Sequence, residues 1–199
     1  MFARLVIHWR RLLVASLAAT GLALTPAGAQ SAGTVFSADA VKAAYLINFI
    51  RFTEWPASAF GSADTFFVIG IAGNRELEDY LWKSTAGKLL QGRKVRVVRL
   101  ANLDDTANCQ LIYVQASNAV SGVTTADWIA AVSKKPVLTV ANEPGFIARG
   151  GIINFYADGS NLRFEISSSA AEAAGLQLSS RLLALARIVR PDDAGPKSP

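Results

Sequence analysis

The apolar and polar positions along the chain fall into distinct periodicities, and the first is not that of a folded element. Residues 12–24 are almost wholly apolar, with Arg4, Arg10 and Arg11 before them and Pro26, Ala27, Gly28 and Ala29 after. A cationic start, an apolar run of about 13 residues and small residues at a cleavage position predict a secretory signal peptide over residues 1–29. A bilayer-spanning helix would need about 20 apolar residues. A small-residue linker follows over residues 30–37. Residues 38–55 then carry helical spacing, closed by Pro56, which disfavours helix in the residue before it. Leu46, Phe49, Ile50 and Thr53 share one face, with Tyr45 and Phe52 at its margin and Asn48, Arg51 and Glu54 opposite. Ile47 and Trp55 lie outside this stripe, so a core does not obviously require them.

Short continuous apolar runs come next. TFFVIGIAG (65–73) has the pattern of a buried strand, and KVRVVRL (94–100), LIYVQ (111–115) and PVLTVAN (136–142) read as further strands. Helical segments separate them: one from an Asn74 N-cap to Ala86, another over 125–133. Alternation of this kind predicts a mainly parallel sheet sandwiched between helices. The pattern then changes, because GGIINFYADGSNLRFEIS (150–167) holds two alternating runs around Asp158 and Gly159. That is a hairpin signal, so the sheet is expected to end in an antiparallel β-hairpin. C-terminal helices follow, one from Ser168 to a stop at Gly175 and one opened by Ser179 or Ser180 and running to Pro191. The expected organisation is an α/β domain over 38–190 and a disordered tail over 191–199.

Composition changes this picture mainly by what it removes. The chain has 20 basic and 15 acidic residues, and the predicted signal takes three Arg and no acid, leaving a net charge of +2. Nucleic-acid binding loses its electrostatic argument. The single histidine, His8, leaves with the signal, and Cys109 is the one cysteine. A Ser-His-Asp or Cys-His nucleophilic site cannot then be assembled, nor a His/Cys zinc or copper shell. No catalytic residue, metal or cofactor is expected. Cys109 precedes an apolar run and reads as a buried, inert thiol.

The remaining polar features read as structural. Gly70 and Gly73 in GIAGN lack the GxGxxG and P-loop spacings and fit a tight strand-to-helix turn. Lys94 and Arg96 alternate with Val95 and Val97, as charges protecting an edge strand do. Asp104 and Asp105 are adjacent and fit a turn or cap better than a catalytic pair.

Three segments together carry a resemblance: AVKAAYLINFIRFTEWP, LTVANEPGFIARGGIINFYADGSNLRFEIS and AAEAAGLQLSSRLLALARIV, with GRKVRVVRL and CQLIYV between them in order. The chain resembles the YfiR/HmsC family of periplasmic proteins. The resemblance implies an α/β fold, often dimeric, without known catalytic activity. It also implies partners: the periplasmic domain of an inner-membrane diguanylate cyclase, held inactive so that cyclic-di-GMP output and biofilm formation stay low, and an outer-membrane lipoprotein that withdraws the repressor. Some relatives carry a cysteine where this chain has Gly70, able to bridge to the position of Cys109; here that partner is missing. Docking surfaces in the family involve the C-terminal region, which points to Arg163, Glu165, Arg181 and Arg187, beside Ile47, Arg51 and Trp55 on the opening segment. The rival reading is a small-ligand binding protein or weak enzyme using the crevice beyond Gly73 and near 142–145.

Overall fold

The computed structural model describes residues 37–61, 66–115 and 122–190. The predicted signal peptide, nearly all of the linker and the C-terminal tail lie outside the described residues. Among those residues no helix is long and apolar enough to cross a membrane.

The centre of the fold is β2 (Phe67–Ala72), every residue of which is buried. Its parallel neighbours are β4 (Arg93–Arg99) and β5 (Leu111–Val114). Beyond β5 follow β6 (Leu138–Ala141) and β7 (Ile153–Asp158), each parallel to its predecessor. β8 (Asn161–Ile166) returns antiparallel to β7 through a turn in which Gly159 has φ 60°. The hairpin signal thus gives the pairing expected of it.

Two helical layers cover the sheet because its central strands alternate large apolar residues to both sides. Phe67, Ile69, Ile71, Leu111 and Tyr113 point to the layer of α1 (Ala38–Arg51) and α2 (Arg75–Thr85). Val68, Ala72, Ile112 and Val114 point to α3 (Thr125–Ala131), which contributes the buried Trp128. Asn74 caps α2 as predicted, accepting from Leu77 N at 2.9 Å. The Asp pair does likewise: Asp105 Oδ2 accepts from Ala101 N at 2.7 Å and Asn102 N at 3.0 Å in a capping box. α1 docks through an aromatic cluster, with Phe49 4.9 Å from Phe164 and 5.6 Å from Phe155 between ring centroids.

The structure corrects two expectations, each at a place where a distant partner outweighs local pattern. The first helix ends at Arg51 rather than at Trp55. Thr53–Glu54 instead form β1, antiparallel to β9 (Gln177–Leu178), and Ser179 N donates to Phe52 O at 2.9 Å. The second C-terminal helix is only α5 (Ser180–Leu183), following α4 (Ser168–Ala173). Past Ala184 the chain extends, and Arg187–Ile188 form β10, parallel to β8, with Val189 N donating to Ile166 O at 2.9 Å. The sheet therefore ends in β10 and not in the hairpin. At the other edge the structure adds an element the pattern did not predict, β3 (Leu89–Leu90), which pairs with the start of β4 through Gln91 and Gly92, both with positive φ.

Cys109 is buried and free, and burial, with the Asp105 charge adding, pushes its thiol up to about 12. It stays protonated and unreactive at neutral pH. A Cβ placed on Gly70 would lie 2.9 Å from Cys109 Sγ. A disulfide, with S–S about 2.05 Å, puts each Cβ about 3 Å from the opposite sulfur. Gly70→Cys is therefore expected to bridge to Cys109 once the Leu100 methyls, 2.8 and 2.9 Å from the same point, give way. The oxidised variant should show no titratable thiol in denaturant and a stability about 2–4 kcal/mol above its reduced form; two free thiols would refute the expected bridge.

Candidate functional site

In an open parallel sheet, ligands sit beyond the carboxyl ends of strands where the winding reverses. Here that point lies between β2 and β5, because β4 and β5 leave β2 on opposite sides. It is the crevice beyond Gly73, and the first turn of α1 occupies it. Asp39 Oδ1 accepts from Lys42 Nζ and from Asn74 Nδ2, both at 3.0 Å. Asn74 Nδ2 also donates to Gln115 Oε1 at 3.2 Å, and Tyr113 OH donates to the same oxygen at 2.7 Å. Burial, reinforced by the Asp39 charge, pushes the Tyr113 phenol above its ordinary range, so it remains a neutral donor. These groups satisfy one another and serve the docking of α1.

The open space lies one step along the sheet, at the ends of β6 and β7. A cleft of about 920 Å³ is walled by Lys42, Asn142, Asn154, Tyr156, Leu162 and Glu165, and closed on one side by 187–189 of β10 and its continuation. The 142–145 part of the predicted crevice thus opens here, apart from the part beyond Gly73. A chain of contacts lines the floor. Asn154 Oδ1 accepts from Glu143 N at 2.9 Å, and its Nδ2 donates to Glu165 Oε1 at 3.0 Å. Arg187 Nε donates to Glu165 Oε2 at 3.2 Å, and Nη2 donates to the same oxygen. The guanidinium also lies 4.3 Å over the Tyr156 ring. The hydrogen bond to Glu165 raises the already high pKa of Arg187, so its charge is permanent.

The sequence-predicted residues divide among three places. Glu165 and Arg187 meet at the cleft, while Arg163 is exposed on β8 in an ion pair with Asp158 at 2.6 Å, and Arg181 is exposed on α5. Such an exposed pair contributes at most about 1 kcal/mol. Ile47 and Arg51 line a separate groove of about 220 Å³ between α1 and α2, with Thr85, Lys88 and Leu90. Ile47 is half-buried there and Arg51 exposed. Trp55 turns inward, its ring 5.0 Å from Phe67 and its Nε1 donating to Gln110 O at 3.2 Å. Sequence reasoning missed Lys42, Asn154 and Tyr156. A signal existed for Asn154 and Glu165, which occupy the polar phase of the two alternating runs and which the hairpin register sets opposite each other.

Glu165 is only 9% exposed and Arg187 is its cationic partner. Arg187→Met should leave a buried carboxylate uncompensated and lower stability by about 1–3 kcal/mol. Adding Glu165→Gln in that background should recover part of the loss, as urea denaturation would measure; an unchanged midpoint in Arg187→Met would show that the pair is solvated.

A protein from Vibrio cholerae O1 biovar El Tor str. N16961, described as a conserved domain protein, has a solved structure that matches with a TM-score of 0.49 at 15% identity, covering 75% of this chain. This chain spans 59% of that one. No curated protein matches. The family model described as YfiR/HmsC-like matches residues 39–187, which run from the first turn of α1 into β10. The chain belongs to the YfiR/HmsC-like family, a family of periplasmic regulators.

Proposed function

We propose that this protein is a periplasmic repressor that binds the periplasmic sensor region of an inner-membrane diguanylate cyclase and holds it inactive. The observation that carries the reading is the extent of the family match, which takes in both helical layers and the sheet from α1 to β10. Repression of this kind is differential binding: tight for the inactive sensor, weak for the active one, with equal affinity shifting nothing. Moving a sensor from mostly active to mostly inactive takes about 10⁴-fold discrimination, within reach of an ordinary protein interface.

In this reading the cyclase meets the β10 edge. That edge is unpaired on its outer side, and Leu185 and Ile188, 72% and 49% exposed, stand beside Arg187. Arg163 and Arg181 supply further exposed cations on β8 and α5, and Glu165 acts from within by holding Arg187. A second copy of the chain would use the opposite end of the sheet, where Ile47 and Arg51 on α1 neighbour the α2 and β3 elements that expose Trp82 and Leu89. An outer-membrane lipoprotein would then act by competing for the repressor. Trp55, engaged inward, is left out of both surfaces.

Deleting the gene should raise cyclic-di-GMP in a strain that retains the cyclase, and the wild-type gene should restore it. Leu185→Asp with Ile188→Asp should fold but bind the purified sensor region at least about tenfold more weakly, about 1.4 kcal/mol, and fail to restore repression. Ile47→Asp should alter the oligomeric state by light scattering. No rise in cyclic-di-GMP on deletion would remove the repressor reading.

A further inference from the structure

The end of the sheet opposite β10 is cationic and carries exposed apolar side chains. Residues 80–103 hold six basic residues and no acidic one, whereas the rest of the chain after the predicted signal holds 11 basic and 15 acidic residues. Positive charge in a nearly neutral molecule is thus gathered at one end. Trp82 and Leu89, 64% and 61% exposed, stand in that same run.

The fold brings these groups to one edge. Leu89 pairs directly with Lys94 across β3 and β4, so the two side chains leave the same face, and Arg96 follows on that face two residues further on. β3 covers only Arg93 and Lys94, which leaves β4 as the outer strand from Val95 to Arg99. On α2, Glu78 accepts from Arg99 at 2.9 Å, so that side of the helix faces the outer strand. Trp82 lies one turn further along the same side, with the exposed Lys83 beside it. The groove of Ile47 and Arg51 runs along the α1 side of α2, past Ser84 and Thr85, and includes neither Trp82 nor Leu89. The two surfaces are therefore separate.

Charge alone on an outer strand is explained by protection against strand pairing. Exposed Trp and Leu side chains work against that protection, and among cations they suit a different contact. At a membrane interface Trp and Leu enter the boundary between headgroups and acyl chains, while Lys and Arg meet anionic lipid. The chain belongs to a family of periplasmic regulators, and the periplasm is bounded by membrane surface on both sides. We propose that this edge, with Trp82 and Leu89 as its apolar contacts and Lys83, Lys94 and Arg96 around them, seats the protein on an anionic phospholipid surface. Such seating is independent of the repressor reading and is testable without a cyclase.

Trp128 is buried and Trp55 turns inward, so Trp82 is the tryptophan of the described residues within reach of lipid. Vesicles of equal parts phosphatidylglycerol and phosphatidylcholine should cosediment with the exported protein, and brominated acyl chains should quench its tryptophan fluorescence. Added salt should release it, because exposed charges are screened. Pure phosphatidylcholine should bind at least about tenfold more weakly. Lys83→Glu with Lys94→Glu should weaken binding to the anionic vesicles by a similar factor. Trp82→Ala should remove the quenching and also reduce cosedimentation, and both variants should keep the wild-type melting temperature because all three side chains are exposed. Absence of cosedimentation with the anionic vesicles at low salt overturns the proposal, as does equal binding to pure phosphatidylcholine or full binding by the charge-reversed variant. A changed oligomeric state of Trp82→Ala in light scattering, with vesicle binding unaltered, also overturns it and makes this edge a contact between protein chains.

Discussion

The structure depends on covering one face of the sheet with helices drawn from both ends of the folded chain. Phe67, Ile69, Ile71, Leu111, Tyr113, Leu138 and Val140 are all buried on that face. α1 and α2 cover part of it, and α4 and α5 contribute Ala171 and Leu182 from the other terminus. Neither group spans the whole face, and any part left uncovered would put its apolar side chains in water. The β1–β9 pairing ties the two groups together, with Thr53 opposite Leu178 and Glu54 opposite Gln177. This is why the first helix stops early. Residues that could have continued it are worth more as a strand that joins the N-terminal cover to the C-terminal one.

The second face is built differently, and the contrast explains where polar chemistry collects. Around Leu100, Cys109, Trp128 and Phe146 the packing is tight: a Cβ on Gly151 would come within 2.2 Å of the Phe146 ring. Interiors packed at this density leave no room for a ligand, and the open space on this side is a groove of about 510 Å³ along Ile129, Val132 and Val137. A cleft of about 920 Å³ falls where α1 runs out, beyond the ends of β6 and β7, and where the last strand is only two residues long. A thin cover leaves polar side chains such as Asn154 and Glu165 buried at the margin, where they must pair with one another or with Arg187.

Legibility in the sequence followed the range of the interaction that decides each element. β2, β5 and β6 were readable because short runs that are almost wholly apolar serve both faces, and α2 because Asn74 and its amphipathic stripe are local signals. The β7–β8 hairpin was readable from Asp158 and Gly159. β1, β9 and β10 were not, since each is two residues long and is defined by a partner far away in sequence. In SRLLALARIV the apolar spacing is helical throughout, and only pairing with Ile166 turns Arg187 and Ile188 into strand. The same distance governs the site. Glu165 and Arg187 could be singled out, but that they form one contact, roofed by Tyr156, rests on the β8–β10 register of Arg187 opposite Glu165. Lys42 was hidden for a related reason, because a lysine on a helix reads as solvated until Asp39 and the end of β5 are seen to enclose it.

β10 has two sides, and a molecule bound on one bears on what can bind at the other. Its inner side walls the cleft through Arg187 and Ile188, while its outer edge is unpaired and flanked by exposed Leu185. The strand is held by a two-residue pairing, one ion pair and one cation–π contact, so it is among the more weakly secured parts of the sheet. A ligand that gains contacts with Arg187 favours the docked arrangement of β10 by its own differential affinity for that arrangement. A protein partner that selects the same arrangement along the outer edge is then bound more tightly when the cleft is filled, and by linkage the partner tightens the ligand by an equal factor. A partner that instead pulls β10 away to pair with β8 would oppose the ligand by the same rule. The sign of the coupling therefore distinguishes docking against the intact edge from strand exchange. The relevant element in both cases is the short last strand, which the hydrophobic pattern alone assigns to a helix.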